Sequence, residues 1–91
     1  MKVVLAPRAE LDFQTQVAWL KLHSPAAGQK AALRIVEMID LLADFPQLGL
    51  VVNSRTREKQ FQFGRDGFVI RYRLEDDTLI VMRIFHSRQD R

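Results

Sequence analysis

Cysteine is absent from this 91-residue sequence. Its absence excludes a disulfide framework, a zinc site built from thiolates and a cysteine nucleophile. The two histidines, His23 and His86, are far apart in the chain, and no carboxylates accompany them at the spacing of metal ligands. We therefore expect the protein to bind no metal and to use no other cofactor.

Glycine and long apolar runs are also scarce. The four glycines are scattered, so there is no glycine-rich phosphate loop, and no Ser-His-Asp pattern indicates a catalytic triad. No apolar run reaches the length of a membrane span, and the run between Met1 and Pro7 is too short for a signal peptide. We expect a cytoplasmic protein without a membrane partner.

The length and the hydrophobic fraction of 47% indicate one globular domain over residues 1–91. Residues 3–5 are apolar and predict a short strand. Pro7 suits the first turn of a helix, and apolar residues at helical spacing continue this helix to His23. Its buried face is predicted to contain Ala9, Phe13, Val17 and Leu20, widened by Leu11, Ala18 and Leu22.

A second helix is predicted to begin at Ser24 and Pro25, because serine is a favourable N-cap and proline a favourable first residue. It ends at Phe45, since the residue before a proline avoids the helical region. Its apolar residues form two adjacent stripes and predict burial on two sides: Ala32, Ile35, Val36, Ile39 and Leu42 in one stripe, and Ala31, Met38, Leu41 and Phe45 in the other.

Strands dominate the rest of the chain. A loop is predicted over residues 49–57, with a short extended piece at 50–52. Apolar and polar residues then alternate and predict three strands: one with Phe61 and Phe63 on one face and Gln60 and Gln62 on the other, one over residues 68–74 and one over residues 78–85. The fold class is therefore α+β in the order β-α-α-β-β-β, a helix hairpin packed on a small, curved, mostly antiparallel sheet.

Positive charge is concentrated in the second half of the chain. The net charge is +3, and residues 53–91 carry nine basic and six acidic side chains, eight of the basic ones being arginines. Arginine favours planar, bidentate contacts to phosphate or carboxylate. This half is therefore predicted to face a nucleic acid or an acidic protein. The alternative is an ordinary solvated face.

Three arginines lie on neighbouring predicted strands. Arg71 and Arg73 share one face by alternation. Arg83 interrupts an apolar strand, which is unfavourable unless it is paired or lies at a functional surface. The alternative interpretation is that acidic residues of the adjoining turn pair with these arginines, namely Glu75, Asp76 or Asp77.

Two aromatic or titratable side chains have competing interpretations. His86 stands near arginines and has the chemistry of a general acid or base for RNA cleavage, but a surface histidine at a strand end is the favoured interpretation. Trp19 is expected in the core because of its size. The alternative is that Trp19 contacts a partner.

Several motifs resemble those of the RelE/ParE superfamily of bacterial toxins, and of its ParE branch in particular. Their order and spacing cover almost the whole chain. They are Trp19-Leu20 followed by Ser24-Pro25-Ala26-Ala27; residues 39–49, with their Leu-x-x-Phe-Pro-x-Leu-Gly ending; and residues 67–73 and 84–91, which are similar to the final hairpin and tail of the family.

The resemblance implies one of two mechanisms. RelE-like members cleave messenger RNA in the ribosome with basic residues on the sheet, whereas ParE-like members inhibit DNA gyrase. Gln60 and Gln62 stand where the nuclease branch has lysines, and Val69 stands where it has an arginine. In the nuclease branch the C-terminal tail usually continues to a tyrosine, which this sequence does not show. Of the residues expected in that branch, only Arg88 has a match in this sequence. RNA cleavage depends mainly on cationic side chains that stabilise the charge of the transition state. Because most of these side chains are missing here, the resemblance favours the ParE branch.

The resemblance also implies partners and site residues. It predicts a toxin that acts on DNA gyrase, through the gyrase A polypeptide, and is neutralised by an acidic, ParD-like antitoxin; operator DNA is bound only through the antitoxin. No catalytic residue is assigned. Toxicity is assigned to Arg83, His86, Arg88 and Arg91, and antitoxin binding to Arg71, Arg73 and Trp19. The alternatives are a ribosome-dependent messenger RNA endoribonuclease and an inactive member that binds only its antitoxin.

Overall fold

The computed structural model describes residues 1–88, so the prediction for Arg91 lies outside the described residues. The predicted α+β order is confirmed, with one additional strand. The elements are β1 (Lys2–Leu5), α1 (Pro7–His23), α2 (Pro25–Asp44), a 3-10 turn (Pro46–Leu48), β2 (Leu50–Asn53), β3 (Thr56–Phe63), β4 (Asp66–Glu75) and β5 (Thr78–His86).

Ser24 joins the two helices of the hairpin. Its N–H donates to the carbonyl of Leu20 over 2.8 Å and closes α1, while its hydroxyl accepts from the N–H of Ala27 over 3.2 Å and caps α2. Gly28 is buried beside α1, where a Cβ would overlap the side chain of Lys21. The hairpin therefore depends on the serine cap and on a glycine at the point where the helices come closest.

The sheet has five strands in the order β1-β5-β4-β3-β2. The β1 strand runs parallel to β5, and the other neighbours are antiparallel, as the predicted mostly antiparallel sheet requires. The apolar β5 lies inside the sheet, between β1 and β4, as expected of a strand buried on both faces. A bulge interrupts its pairing with β4: Arg71 lies opposite Arg83, Tyr72 lies opposite Val81, and Met82 is the extra residue.

The short extended piece predicted at 50–52 is confirmed as β2, but the predicted loop over residues 49–57 is too long at its end, because β3 already begins at Thr56. Long-range hydrogen bonds from β4 and β3 hold this part of the chain in place. The buried Tyr72 hydroxyl donates to the carbonyl of Pro46 over 2.6 Å and accepts from the N–H of Gly49 over 2.9 Å. Arg57 donates to the carbonyl of Gly49 over 2.8 Å. These bonds hold the chain after α2 against the sheet, where Leu50–Asn53 can pair with β3.

The core lies between the helix hairpin and one face of the sheet, with Ile35, Leu42, Phe68 and Tyr72 among its fully buried side chains. The expectation that Trp19 belongs to it is wrong, because 57% of this residue is exposed. The buried faces of both helices are narrower than predicted. The α1 helix packs on α2 and β5 mainly through Ala9, Phe13, Val17 and Leu20. The predicted inward residues that are exposed are Leu11, Ala18, Leu22, Val36, Leu41 and Phe45.

Candidate partner-binding site

Asp12 links α1 to the edge of β5. The β1 strand ends at Leu5, so the second half of β5 has no parallel neighbour there, and α1 crosses this edge instead. The Asp12 carboxylate accepts from the N–H of Ile84 over 2.9 Å and from Arg83 Nε over 2.8 Å. A helix side chain therefore satisfies the backbone donor that a neighbouring strand would otherwise bind.

Opposing effects act on the pKa of Asp12. Burial raises it, but hydrogen bonds from Arg83 and from the N–H of Ile84, the charge of Arg83 and a weaker bond from Arg8 together outweigh burial and lower it below its ordinary value. The carboxylate therefore stays ionised at neutral pH. Asp12 was not predicted as a site residue. The one signal for it in the sequence is an acidic residue on a helix face that is otherwise apolar.

The arginines on the sheet face away from the helices are paired. Arg71 Nη2 lies 2.7 Å from Glu58 Oε2, and Arg83 is held by Asp12. Both guanidinium groups also lie over the ring of Phe85, 4.9 and 4.5 Å from its centroid. The predicted pairing with the adjoining acidic turn occurs for Arg73, which lies 3.3 Å from Glu75, but Arg71 and Arg83 pair with carboxylates distant in sequence. This row of charges is therefore largely neutralised.

The end of β5 is organised by Asp66, the first residue of β4. Arg88 Nε lies 3.0 Å from Asp66 Oδ1, and His86 Nε2 lies 3.8 Å from Asp66 Oδ2. The N–H of Arg88 donates to His86 Nδ1 over 3.2 Å. His86 and Arg88 therefore share an acidic partner that the sequence does not reveal, because the pairing of β4 with β5 brings it to them.

A cleft of about 390 Å³ opens between α1 and this end of the sheet. Trp19 forms one wall, and its ring stacks on His23 with centroids 4.4 Å apart. His86 and Arg88 also line the cleft, together with Phe63 and Phe68. Of the predicted site residues, the structure therefore brings together Trp19, His86 and Arg88.

The other predicted site residues lie elsewhere. Arg71 and Arg83 stand opposite each other on β4 and β5, and Arg73 lies toward the far end of β4. Within residues 1–88, no group of three His, Asp or Glu side chains is placed to hold a metal ion. None of the helices described is long and apolar enough to cross a membrane.

The fold and the site define a small α+β protein that presents an aromatic and basic cleft at the end of its last strand. The model of the ParE toxin family, described as the ParE toxin of the type II toxin–antitoxin system parDE, matches residues 3–91. The chain therefore belongs to the ParE toxin family and is a toxin of a type II toxin–antitoxin system. The predicted resemblance to the RelE/ParE superfamily is confirmed.

Curated relatives agree with this assignment, and a solved structure shares the fold. Toxin RelE1 and Toxin RelE3 of Caulobacter vibrioides are each 34% identical over 89 residues, which is 98% of this chain and 96% and 97% of theirs. Toxin RelE2 of the same organism is 31% identical over 86 residues, 94% of each chain. A chain of the chromosomal ParDE toxin–antitoxin system from P. aeruginosa has the same fold, with a TM-score of 0.74, 20% identity and 97% of each chain covered.

Proposed function

We propose that this toxin inhibits DNA gyrase by protein–protein contact, through the gyrase A polypeptide, and that a ParD-like antitoxin neutralises it. The observation that carries the proposal is the pairing of the sheet arginines. Arg71 and Arg83 are bound by Glu58 and Asp12, so this face offers little unpaired positive charge to an RNA phosphate. Such charge is the main means by which a site of this kind stabilises the transition state of cleavage.

The glutamines of β3 support the same proposal. Gln60 and Gln62 are exposed, and Gln60 lies opposite the buried Val69 of β4. An amide carries no charge, so it cannot replace a lysine in binding phosphate. The positions that would bear cations in a nuclease of this superfamily are therefore neutral or apolar.

The cleft beside Trp19 has the composition of a protein interface. Exposed tryptophan and arginine side chains are enriched among the residues that dominate binding energy. Trp19, His86 and Arg88 are the residues that we expect to contact gyrase or the antitoxin. Arg83 is held by Asp12, so we expect it to position the end of β5, and the role predicted for Arg91 stays a prediction.

An antitoxin partner fits the charge of the second half of the chain. The structural neighbour belongs to a ParDE system, which supports a ParD-like protein as the partner here. An acidic, extended segment would complement the basic half. Operator DNA would then be bound by the antitoxin, with the toxin held beside it.

A gyrase supercoiling assay with purified protein tests the proposal. We expect the wild type to block supercoiling and Arg88→Ala to need about tenfold more protein for the same effect. Lys30→Ala, an exposed change on α2, is the matched control and should behave as the wild type. Supercoiling that continues unchanged in the presence of excess toxin would contradict the proposal.

Messenger RNA cleavage is the second candidate function. Two observations favour it: the curated relatives carry the name RelE, and His86 lies between Asp66 and Arg88 at the mouth of the cleft. In a translating ribosome assay it predicts codon-specific cuts that His86→Gln abolishes. Intact messenger together with gyrase inhibition supports the leading proposal, whereas activity in neither assay indicates a member that binds only its antitoxin.

A further inference from the structure

The bulge in β5 decides which side chains at the end of this strand face α1. Val81 and Ile84 both belong to the core, although they are three residues apart and strict alternation would place them on opposite faces. The extra residue of the bulge, Met82, puts them on one face. His86 follows two residues after Ile84 on the same face, and its ring meets the core ring of Phe68 edge-on. The bulge therefore brings His86 into the cleft.

Asp12 binds the chain immediately after this bulge. One carboxylate oxygen accepts from the N–H of Ile84 over 2.9 Å and from Arg83 Nε over 2.8 Å. The other oxygen accepts from Arg83 Nη2 over 3.3 Å, so the guanidinium group is held at two points. The β1 strand ends at Leu5 and does not pair with this part of β5. Asp12 therefore fixes the bulged register where strand pairing no longer does.

The helix that carries Asp12 also carries Trp19. These two residues are seven positions apart, so their side chains lie on nearly the same face of α1, about 10 Å apart along its axis. Ile84 and His86 lie on one face of β5, about 7 Å apart along the strand. Trp19 and His86 both line the cleft. The contact between Asp12 and β5 and the cleft are therefore successive contacts between the same helix and the same strand.

We propose that Asp12 is a positioning residue of the partner-binding cleft. By holding Arg83 and Ile84, it sets the position of the end of β5 relative to α1, and with it the separation of Trp19 from His86. Asp12 itself does not meet the partner, because its carboxylate is buried and is bound by groups of this chain. The role in partner binding rests on the proposed function, whereas the effect on the shape of the cleft does not.

A residue that only stabilises the fold provides the matched control. The Tyr72 hydroxyl is buried and also makes two hydrogen bonds, to Pro46 and Gly49 in the turn before β2. That strand is at the opposite edge of the sheet from β1. Tyr72→Phe removes these bonds and keeps the ring in the core. It should therefore lower stability without changing the contact between α1 and β5.

Trp19 fluorescence tests the proposal on the full-length toxin, because Trp19 is the only tryptophan of the sequence. We expect Asp12→Asn and Asp12→Ala to shift its emission to longer wavelength and to increase its quenching by acrylamide. In the gyrase supercoiling assay, Asp12→Asn should need about tenfold more protein for half-maximal inhibition. Tyr72→Phe should match the wild type in both measurements. Far-UV circular dichroism selects a temperature at which each variant is folded, and Asp12→Asn decides the test if Asp12→Ala does not fold.

The outcomes separate this proposal from the proposed function. Unchanged Trp19 fluorescence in the Asp12 variants, or an equal change in Tyr72→Phe, overturns the positioning role. Wild-type inhibition of gyrase by Asp12→Asn overturns it as well, even if the fluorescence shifts. A wild-type toxin that does not inhibit gyrase contradicts the proposed function, and the fluorescence then decides by itself whether Asp12 shapes the cleft.

Discussion

Replacing Asp12 by alanine should destabilise the fold through the junction between α1 and β5. Asp12 is 7% exposed and binds Arg83, the N–H of Ile84 and, more weakly, Arg8. The alanine variant leaves the buried N–H without an acceptor, which costs about 1–3 kcal/mol. It also leaves Arg83, whose side chain is 23% exposed, without its anion.

The total effect follows from these contacts. Breaking a fully buried ion pair costs about 3–5 kcal/mol, and Arg83 is partly solvated, so its share is smaller. The side chain of Arg8 is 60% exposed and adds less than about 0.5 kcal/mol. We expect Asp12→Ala to lose about 3 kcal/mol of unfolding free energy, which corresponds to a melting temperature lower by roughly 15 °C in a domain of this size.

Urea denaturation followed by circular dichroism measures this loss. Asp12→Asn keeps an acceptor for the N–H of Ile84 but removes the charge, so we expect about 2 kcal/mol. Glu10→Ala, on the exposed face of the same helix, is the control and should stay within about 0.5 kcal/mol of the wild type. An Asp12→Ala variant that loses less than about 1 kcal/mol would refute this reasoning.

The same residue predicts an acid dependence. The pKa of Asp12 is lower in the folded protein than its ordinary value of 3.8. Its stabilising contribution is therefore fully present above that value and is lost as the pH falls through the folded pKa. The stability difference between the wild type and Asp12→Asn should shrink on acidification below about pH 4. A difference that stays constant down to about pH 2 would contradict the assigned pKa.

Further predictions concern the turn after α2 and the hairpin of β3 and β4. Tyr72→Phe removes the two hydrogen bonds of the hydroxyl, one of them from the N–H of Gly49, and should cost about 2 kcal/mol in urea denaturation and speed amide exchange in β2. Gly67→Ala places a Cβ against the backbone carbonyl of Phe61 and should cost about 3 kcal/mol. At Gly64 an added Cβ would meet open space, but the backbone has a φ of +61°, so Gly64→Ala should cost about 1 kcal/mol. Equal losses of stability in the two glycine variants would contradict this distinction.

Elements with strong local signals were predictable. The proline at the start of each helix, the serine cap and the apolar spacing place α1 and α2 to within one residue, because caps and periodicity act within a few residues of the chain. The alternation of residues 68–74 likewise anticipated β4. The extended piece predicted at 50–52 forms β2, but its pairing with β3 could not be predicted, because the turn before it is held by Tyr72, which lies on another strand.

The extent of the buried helix faces could not be read from periodicity. Leucine, valine and tryptophan at helical spacing predict an inward face, but which of them is covered depends on the position of the neighbouring element. Trp19 and Leu22 fall outside the contact between α1 and its neighbours. Their exposure is therefore a tertiary property, and it is the property that makes Trp19 available to a partner.

The sequence by itself determined the order of the elements, the concentration of arginine in the second half and the superfamily to which the chain belongs. These follow from local periodicity, composition and motifs. Only the tertiary structure decided which arginines are paired, because Asp12 and Glu58 meet Arg83 and Arg71 through helix-to-strand and strand-to-strand contacts. It also decided that Trp19 shares a cleft with His86 and Arg88, since residues distant in sequence become neighbours only when α1 packs beside β5.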